Sequence, residues 1–196
     1  LPASRGDLDT LRAIADHTLR ADFPEIEQSG VEGYAAMFAE TCRRTADMVV
    51  HWMRVGFVHG VMNTDNTTIS GETIDYGPCA FMDQFDPATV FSSIDHGGRY
   101  AYGNQPSIVQ WNLARLAEPL LPLIHDDSER SIELATTAMR GFADRFDARW
   151  LGGMRSKLGV AGADSGDPAL VNDLLAVLHD QRVDHTRFFR RLSSAV

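Results

Sequence analysis

Apolar residues recur at three- and four-residue steps along most of the chain, and this period predicts a mainly helical fold. Leu8, Leu11, Ile14, Ala15 and Leu19 mark a first helix within residues 7–20, which stops before Phe23-Pro24. A clearer helix follows. Val31, Tyr34, Ala35, Phe38, Cys42, Thr45, Met48, Val49 and Trp52 fall on one face, with Glu32, Glu40, Arg43, Arg44 and Asp47 between them. Gly56 is placed to end it in a left-handed cap. The helical period then breaks over residues 57–77. Thr67-Thr68-Ile69-Ser70 and Thr73-Ile74-Asp75 are β-branched runs flanking Gly71-Glu72, which predicts a tight β-hairpin.

Turn-rich sequence continues to about Pro106. Ile108, Trp111, Leu113, Leu116 and Leu120 predict another helix, ending near Pro119 to Pro122. Ile132, Ala135, Met139, Phe142 and Phe146 predict the next, with Asp127 or Ser128 as its cap. A Gly/Ala/Asp linker spans Gly159 to Asp167. Pro168 suits the first turn of a helix carrying Leu170, Leu174, Leu175 and Leu178. A last helix begins at Asp184. Trp52, Trp111 and Trp150 read as core residues on apolar helix faces or ends. The fold class is therefore mainly α with a small β-hairpin, over residues 1–196 as one unit.

Composition narrows the function. A net charge of −9 argues against a nucleic-acid backbone or an anionic membrane as main partner. Cys42 and Cys79 lack metal-ligand spacing and read as packed thiols of a reducing, intracellular setting. No 18-residue apolar run and no signal-peptide pattern occurs. The sole lysine is Lys157, and residues 1–156 hold none.

The chemistry-bearing stretch is His59-Gly60-Val61-Met62-Asn63-Thr64-Asp65-Asn66, followed after the predicted hairpin by Asp75-Tyr76-Gly77. A long helix leading to a loop that ends in Asn, then a segment ending in Asp-x-Gly, is the layout of a protein-kinase catalytic loop and metal-binding turn. Hard divalent cations take oxygen ligands, and Asn66 offers an amide oxygen while Asp75 offers a carboxylate. Gly77 is expected to supply backbone freedom for the turn after Asp75. Counting back from Asn66 puts Val61 where kinases carry their catalytic Asp, and valine cannot accept a proton. Asp65 is the nearest carboxylate able to act as base. His59 is expected to hold a backbone carbonyl beneath the loop.

Two blocks, GFVHGVMNTDNTTISGETIDYGPCAFMDQFDP and DHGGRYAYGNQPSIVQWNLARLAEPLLPLI, resemble the selenoprotein O family, which includes the bacterial YdiU proteins. Weaker similarity runs through MRSKLGVAGADSGDPALVNDLL and DHTRFFRRL, so the likeness covers essentially the whole chain. The resemblance implies a protein-kinase-like C-lobe, α+β overall in the full-length protein, that binds ATP in reversed orientation. It implies transfer of AMP from ATP, or UMP from UTP, to Ser, Thr or Tyr hydroxyls of proteins, with release of pyrophosphate. Asp65 then matches the proton acceptor, Asn66 and Asp75 the ligands of Mg²⁺ or Mn²⁺, and Asp75 also the nucleotide-binding residue.

Cys79 and Thr67-Thr68 depart from the family pattern at positions that carry no proposed ligand. The family's N-terminal nucleotide-binding lobe, with its phosphate-binding lysine, has no counterpart in these residues. Weak or no ATP binding is therefore expected of the 196 residues alone, and such a fragment is expected to be inactive. An atypical kinase using Asp65 as base and a non-catalytic pseudokinase scaffold remain the alternatives. A bacterial cytoplasmic location is the expectation.

Overall fold

The computed structural model describes residues 6–194. Its elements are α1 (Leu8–Asp22), α2 (Gly30–Val55), β1 (Phe57–Val58), β2 (Ala80–Phe81), α3 (Gln105–Ile124), α4 (Ser128–Leu158), α5 (Asp167–Asp180) and α6 (His185–Ser193), with 3₁₀ turns at Thr64–Asn66 and Tyr102–Asn104. The protein is thus mainly helical with one small antiparallel two-stranded sheet.

Polar caps start the helices where the sequence places them. The Asp7 carboxylate accepts from Thr10 N–H at 3.0 Å, Asp127 from Arg130 N–H at 2.8 Å and Asp184 from Arg187 N–H at 2.7 Å. Gly56 ends α2 at φ +72°, a left-handed conformation that any Cβ would oppose. The buried face of α2 carries Tyr34, Phe38, Cys42, Val49 and Trp52 and packs on α3 and α4. Both α1 and α2 meet at Gly33, where a Cβ would lie 2.6 Å from Gln28 O and 3.0 Å from Leu19 Cδ2. Across the α2–α4 seam, Asp47 accepts from Arg145 Nε at 2.8 Å and from Arg149 Nε at 3.2 Å. Burial opposes ionisation of Asp47, but the arginine hydrogen bonds prevail and hold its carboxyl below the usual carboxylate range.

Three expectations need correction. The runs Thr67–Ser70 and Thr73–Asp75 do not form a hairpin; the sheet pairs Phe57 with Phe81 and Val58 with Ala80 on either side of that segment. Thr68 Oγ1 donates to Glu72 O at 2.7 Å and accepts from Glu72 N–H at 2.8 Å, so a side chain already takes both backbone groups that a ladder would use. Gly71, at φ +80°, lies so close to α2 that a Cβ would be 2.5 Å from Arg44 Cβ.

Second, α3 runs through Pro119 and Pro122 to Ile124. The two interior prolines cost about 3 kcal/mol each, and burial of Leu120, Leu123 and Ile124, at about 2 kcal/mol each, offsets that cost. The next helix, α4, runs to Leu158, as far as the linker expected from Gly159, and crosses Gly152-Gly153 intact. Third, Trp111 is not core. It is 45% exposed, between the guanidinium groups of Arg99 at 5.0 Å and Arg115 at 5.3 Å from its ring centre. Trp52 is buried as expected and donates from Nε1 to Thr73 Oγ1 at 2.8 Å.

Candidate active-site loop

Residues 59–66 leave β1 and return in a 3₁₀ turn at Thr64–Asn66. Nothing in so short a strand could fix this loop by itself. Gln105, the first residue of α3 and 0% exposed, does it from the side. Its Nε2 donates to Phe57 O and its Oε1 accepts from His59 N–H, both at 2.9 Å. One amide thus replaces a missing strand neighbour. Seven residues along the same helix face, Asn112 Nδ2 donates at 3.0 Å to both Met62 O and Thr67 Oγ1. From the turn-rich segment, Tyr100 donates its hydroxyl to Asn63 Oδ1 at 2.5 Å.

His59 is 1% exposed and packs beside Trp52, ring centres 5.4 Å apart. Its Nε2 lies 2.7 Å from Ile74 O, the carbonyl expected to be held beneath the loop. Donation to that carbonyl fixes the proton on Nε2 and leaves Nδ1 as an acceptor, which accounts for Nδ1 being buried without a partner. His59 therefore ties the loop directly to the residue before Asp75.

Asp75 stands at φ +54°, one of two non-glycine residues in the left-handed region among those described. Such a conformation costs about 1 kcal/mol or more and persists only where surrounding contacts enforce it. The bond from His59 to Ile74 O is one such contact. Gly77, expected to give backbone freedom to the turn, is not in the left-handed region; that conformation falls on Asp75 itself. A Cβ at Gly77 would lie 3.8 Å from Asp75 Oδ1, an ordinary contact.

Asp65, Asp75 and Tyr76 are exposed and Asn66 is half-buried. Asn66 donates from Nδ2 to Val61 O at 3.2 Å, which leaves its amide oxygen without a protein donor among the described residues. Each is a donor of the kind a hard divalent cation takes: one neutral oxygen on a turn braced by its own side chain, and one exposed carboxylate on an enforced backbone. Among the described residues, no group of three His, Cys, Asp or Glu side chains is gathered to hold a metal unaided. A cation here would need further oxygens from a phosphate ligand or water, the usual situation of Mg²⁺ at nucleotide sites. Val61, half-buried and aliphatic, offers no proton acceptor.

Sequence reasoning named Asp65, Asn66 and Asp75 as candidates and gave His59 its role beneath the loop. It missed Gln105 and Asn112. The available signal was a pair of amides seven residues apart on an otherwise apolar helix face, where an unpaired polar group would be expensive.

Together these features define a helical protein that displays an oxygen-rich loop and an enforced aspartate turn, cross-linked by a buried histidine. The family model for the protein adenylyltransferase SelO matches residues 3–196, and the chain belongs to that family. It is 55% identical to the protein nucleotidyltransferase YdiU of Rhodopseudomonas palustris over 193 residues, 98% of this chain and 39% of that protein. Proteins of the same name from Cereibacter sphaeroides and Halalkalibacterium halodurans are 54% and 53% identical, over 99% and 97% of the chain and 40% and 39% of theirs. The chain thus spans about two-fifths of the length of the curated relatives it matches. No helix among the described residues is long and apolar enough to cross a membrane.

Proposed function

We propose that this chain supplies the metal-binding and proton-accepting part of a protein nucleotidyltransferase with a kinase-like C-lobe. The proposed reaction moves AMP from ATP onto Ser, Thr or Tyr hydroxyls of a protein substrate. Family membership supports nucleotidyl transfer. The observation that carries the local assignment is the left-handed Asp75, joined through Ile74 O and His59 to the loop holding Asp65 and Asn66. Backbone strain held in place by a buried side chain is characteristic of functional turns.

In this reading the Asp65 carboxylate takes the proton of the attacking hydroxyl. The hydroxyl oxygen forms a bond to the α-phosphorus, the bond from that phosphorus to the bridging oxygen breaks, and pyrophosphate leaves with the electron pair. Asn66 Oδ1 and the Asp75 carboxylate would hold Mg²⁺ or Mn²⁺, which supplies charge neutralisation for the triphosphate. Gln105 and Asn112 keep the loop backbone in place, and Tyr100 anchors Asn63. Asp65 carries no protein hydrogen bond among the described residues, so its oxygens are available to a substrate hydroxyl.

The half-buried Val61 favours this reading over an ordinary kinase, because the position of the kinase base holds no base. ATP labelled separately at the α and γ phosphorus decides between them in a protein spanning the full length of the relatives. Label from the α position on protein is expected; label from the γ position would make it a kinase, and none from either would leave a scaffold. UTP labelled at the α position tests UMP transfer in the same assay. For the chain alone, calorimetry with Mg-ATP is expected to show little binding that depends on Asp75. Its only lysine donates to Arg54 O and stacks on Phe189 instead of serving a phosphate at the loop.

A further inference from the structure

A cavity of about 420 Å³ opens between the last turn of α2, the last turns of α4 and the start of α6. His51, Arg54, Lys157, His185, Thr186 and Arg190 line it, and no carboxylate is among its lining residues. That is unexpected on a chain of net charge −9.

Arg54 is the central anomaly. Its Nε is buried without a hydrogen-bond partner, and it enters no ion pair among the described residues. Its seat is specific: a Cβ on Gly153 of α4 would lie 2.5 Å from Arg54 Cδ and Nε, so only glycine lets the guanidinium lie against that helix. Arg54, half-buried as a whole, also borders a second cavity of about 360 Å³, whose lining includes Asp47. A buried guanidinium nitrogen with no acceptor is costly, and folded proteins normally complete such a group with a carboxylate or a bound anion.

A neighbour strengthens the case independently. Lys157 places its ammonium 3.4 Å from the Phe189 ring centre and donates to the Arg54 carbonyl, which also caps the end of α2. Burial, with Arg54 nearby, brings the Lys157 pKa down to about 8, a group that an added anion would stabilise in its charged form. The hydroxyl of Thr186 adds a neutral donor. The carbonyl ends of α2 and α4 oppose an anion, but Lys157 already satisfies the carbonyl at Arg54.

We propose that this cavity is a binding site for a small phosphate-bearing molecule, with Arg54, Lys157 and Arg190 holding the phosphate oxygens. Donors on three separate elements suit a tetrahedral oxyanion better than a planar carboxylate, and the volume leaves room for more than one phosphate group. The site shares no residue with Asp65, Asn66 or Asp75, so its fate is independent of the nucleotidyl-transfer reading.

Calorimetric titration of the chain at fixed ionic strength tests it, with inorganic phosphate in one arm and glucose 6-phosphate in another. Saturable binding of both is expected, and the tighter of the two identifies free phosphate or a phosphorylated metabolite as the source. Arg54→Gln and Arg190→Gln should each weaken binding about tenfold or more, as loss of one charge-assisted hydrogen bond requires. If Arg54→Gln does not fold, Arg190→Gln, changed at an exposed position, decides in its place. A response no greater than that to chloride, or parent-like affinity in the deciding variant, overturns the proposal.

Discussion

The α2–α4 scaffold and the segment from residue 59 to 79 are held by different physics. The scaffold buries apolar side chains on long helices, among them Phe38, Val49, Ala135 and Phe142. Its stability is spread over many small contacts. The segment has almost no regular structure and depends on a few side-chain-to-backbone bonds, from Gln105, His59, Asn112 and Thr68. A distributed core tolerates substitution gradually. A region held at a few points should respond sharply to loss of any one of them, and that is where the proposed oxygen ligands lie.

Function and stability should therefore separate by region. The largest effect is expected from Asp75→Asn, which keeps a residue tolerant of the left-handed conformation and removes the charge. Transfer activity in the full-length protein should fall by about four orders of magnitude, close to 5 kcal/mol, while the thermal midpoint barely moves. Phe142→Ala in the scaffold should do the reverse. It should cost about 3 to 5 kcal/mol in urea denaturation, with activity per folded molecule unchanged. If Asp75→Asn instead unfolds the protein, or Phe142→Ala silences folded enzyme, the division fails.

Gln105→Leu tests the boundary between the two, because the residue belongs to a scaffold helix but bonds the loop. Losing both amide bonds leaves Phe57 O and His59 N–H buried and unpaired, at about 2 to 3 kcal/mol. Here denaturation and activity should suffer together. A neutral result in both assays would show that water or a neighbour replaces the amide.

The smallest expected effect concerns pH. Burial lowers the His185 pKa from 6.5 to about 4, with the Lys157 charge adding to it and Asp184 opposing. Between these values the unfolded chain binds more protons than the folded one. Stability should thus decline as the pH falls from 6.5 toward 4, with no contribution from this group above that window. His185→Gln should flatten the slope in thermal melts, and an unaltered slope would remove His185 as its cause.

Much of the scaffold was legible in sequence because a 3.6-residue period and capping residues are local signals. Gly56, Asp127, Pro168 and Asp184 all lie where those rules put them. The hairpin reading failed because β-branched composition says nothing of whether a hydroxyl such as that of Thr68 will claim the backbone first. Pro119 and Pro122 misled for a related reason: local helix cost is visible in sequence, the tertiary burial that overrides it is not. Trp111 reads as core by its size and period, yet the two arginines that flank it come from different parts of the chain. At the site, candidate oxygen ligands could be named from sequence, but which backbone groups Gln105 braces is set by the packing of α3, and the Gln105 and Asn112 amides on an apolar face were the one local sign of it.

The two-residue pairing of β1 with β2, extended by the 2.8 Å bond from Met82 N–H to Gly56 O, closes the chain around everything from His59 to Cys79. Closing a loop of that length carries an entropic penalty that grows only slowly with its size. So short a clasp can therefore fray and re-form without melting any helix, as a local opening event. Amide hydrogen exchange should record this directly. Protons at Val58, Ala80 and Met82 should exchange together and well before those in the middle of α2, marking the active-site loop as a separately opening unit on a closed frame.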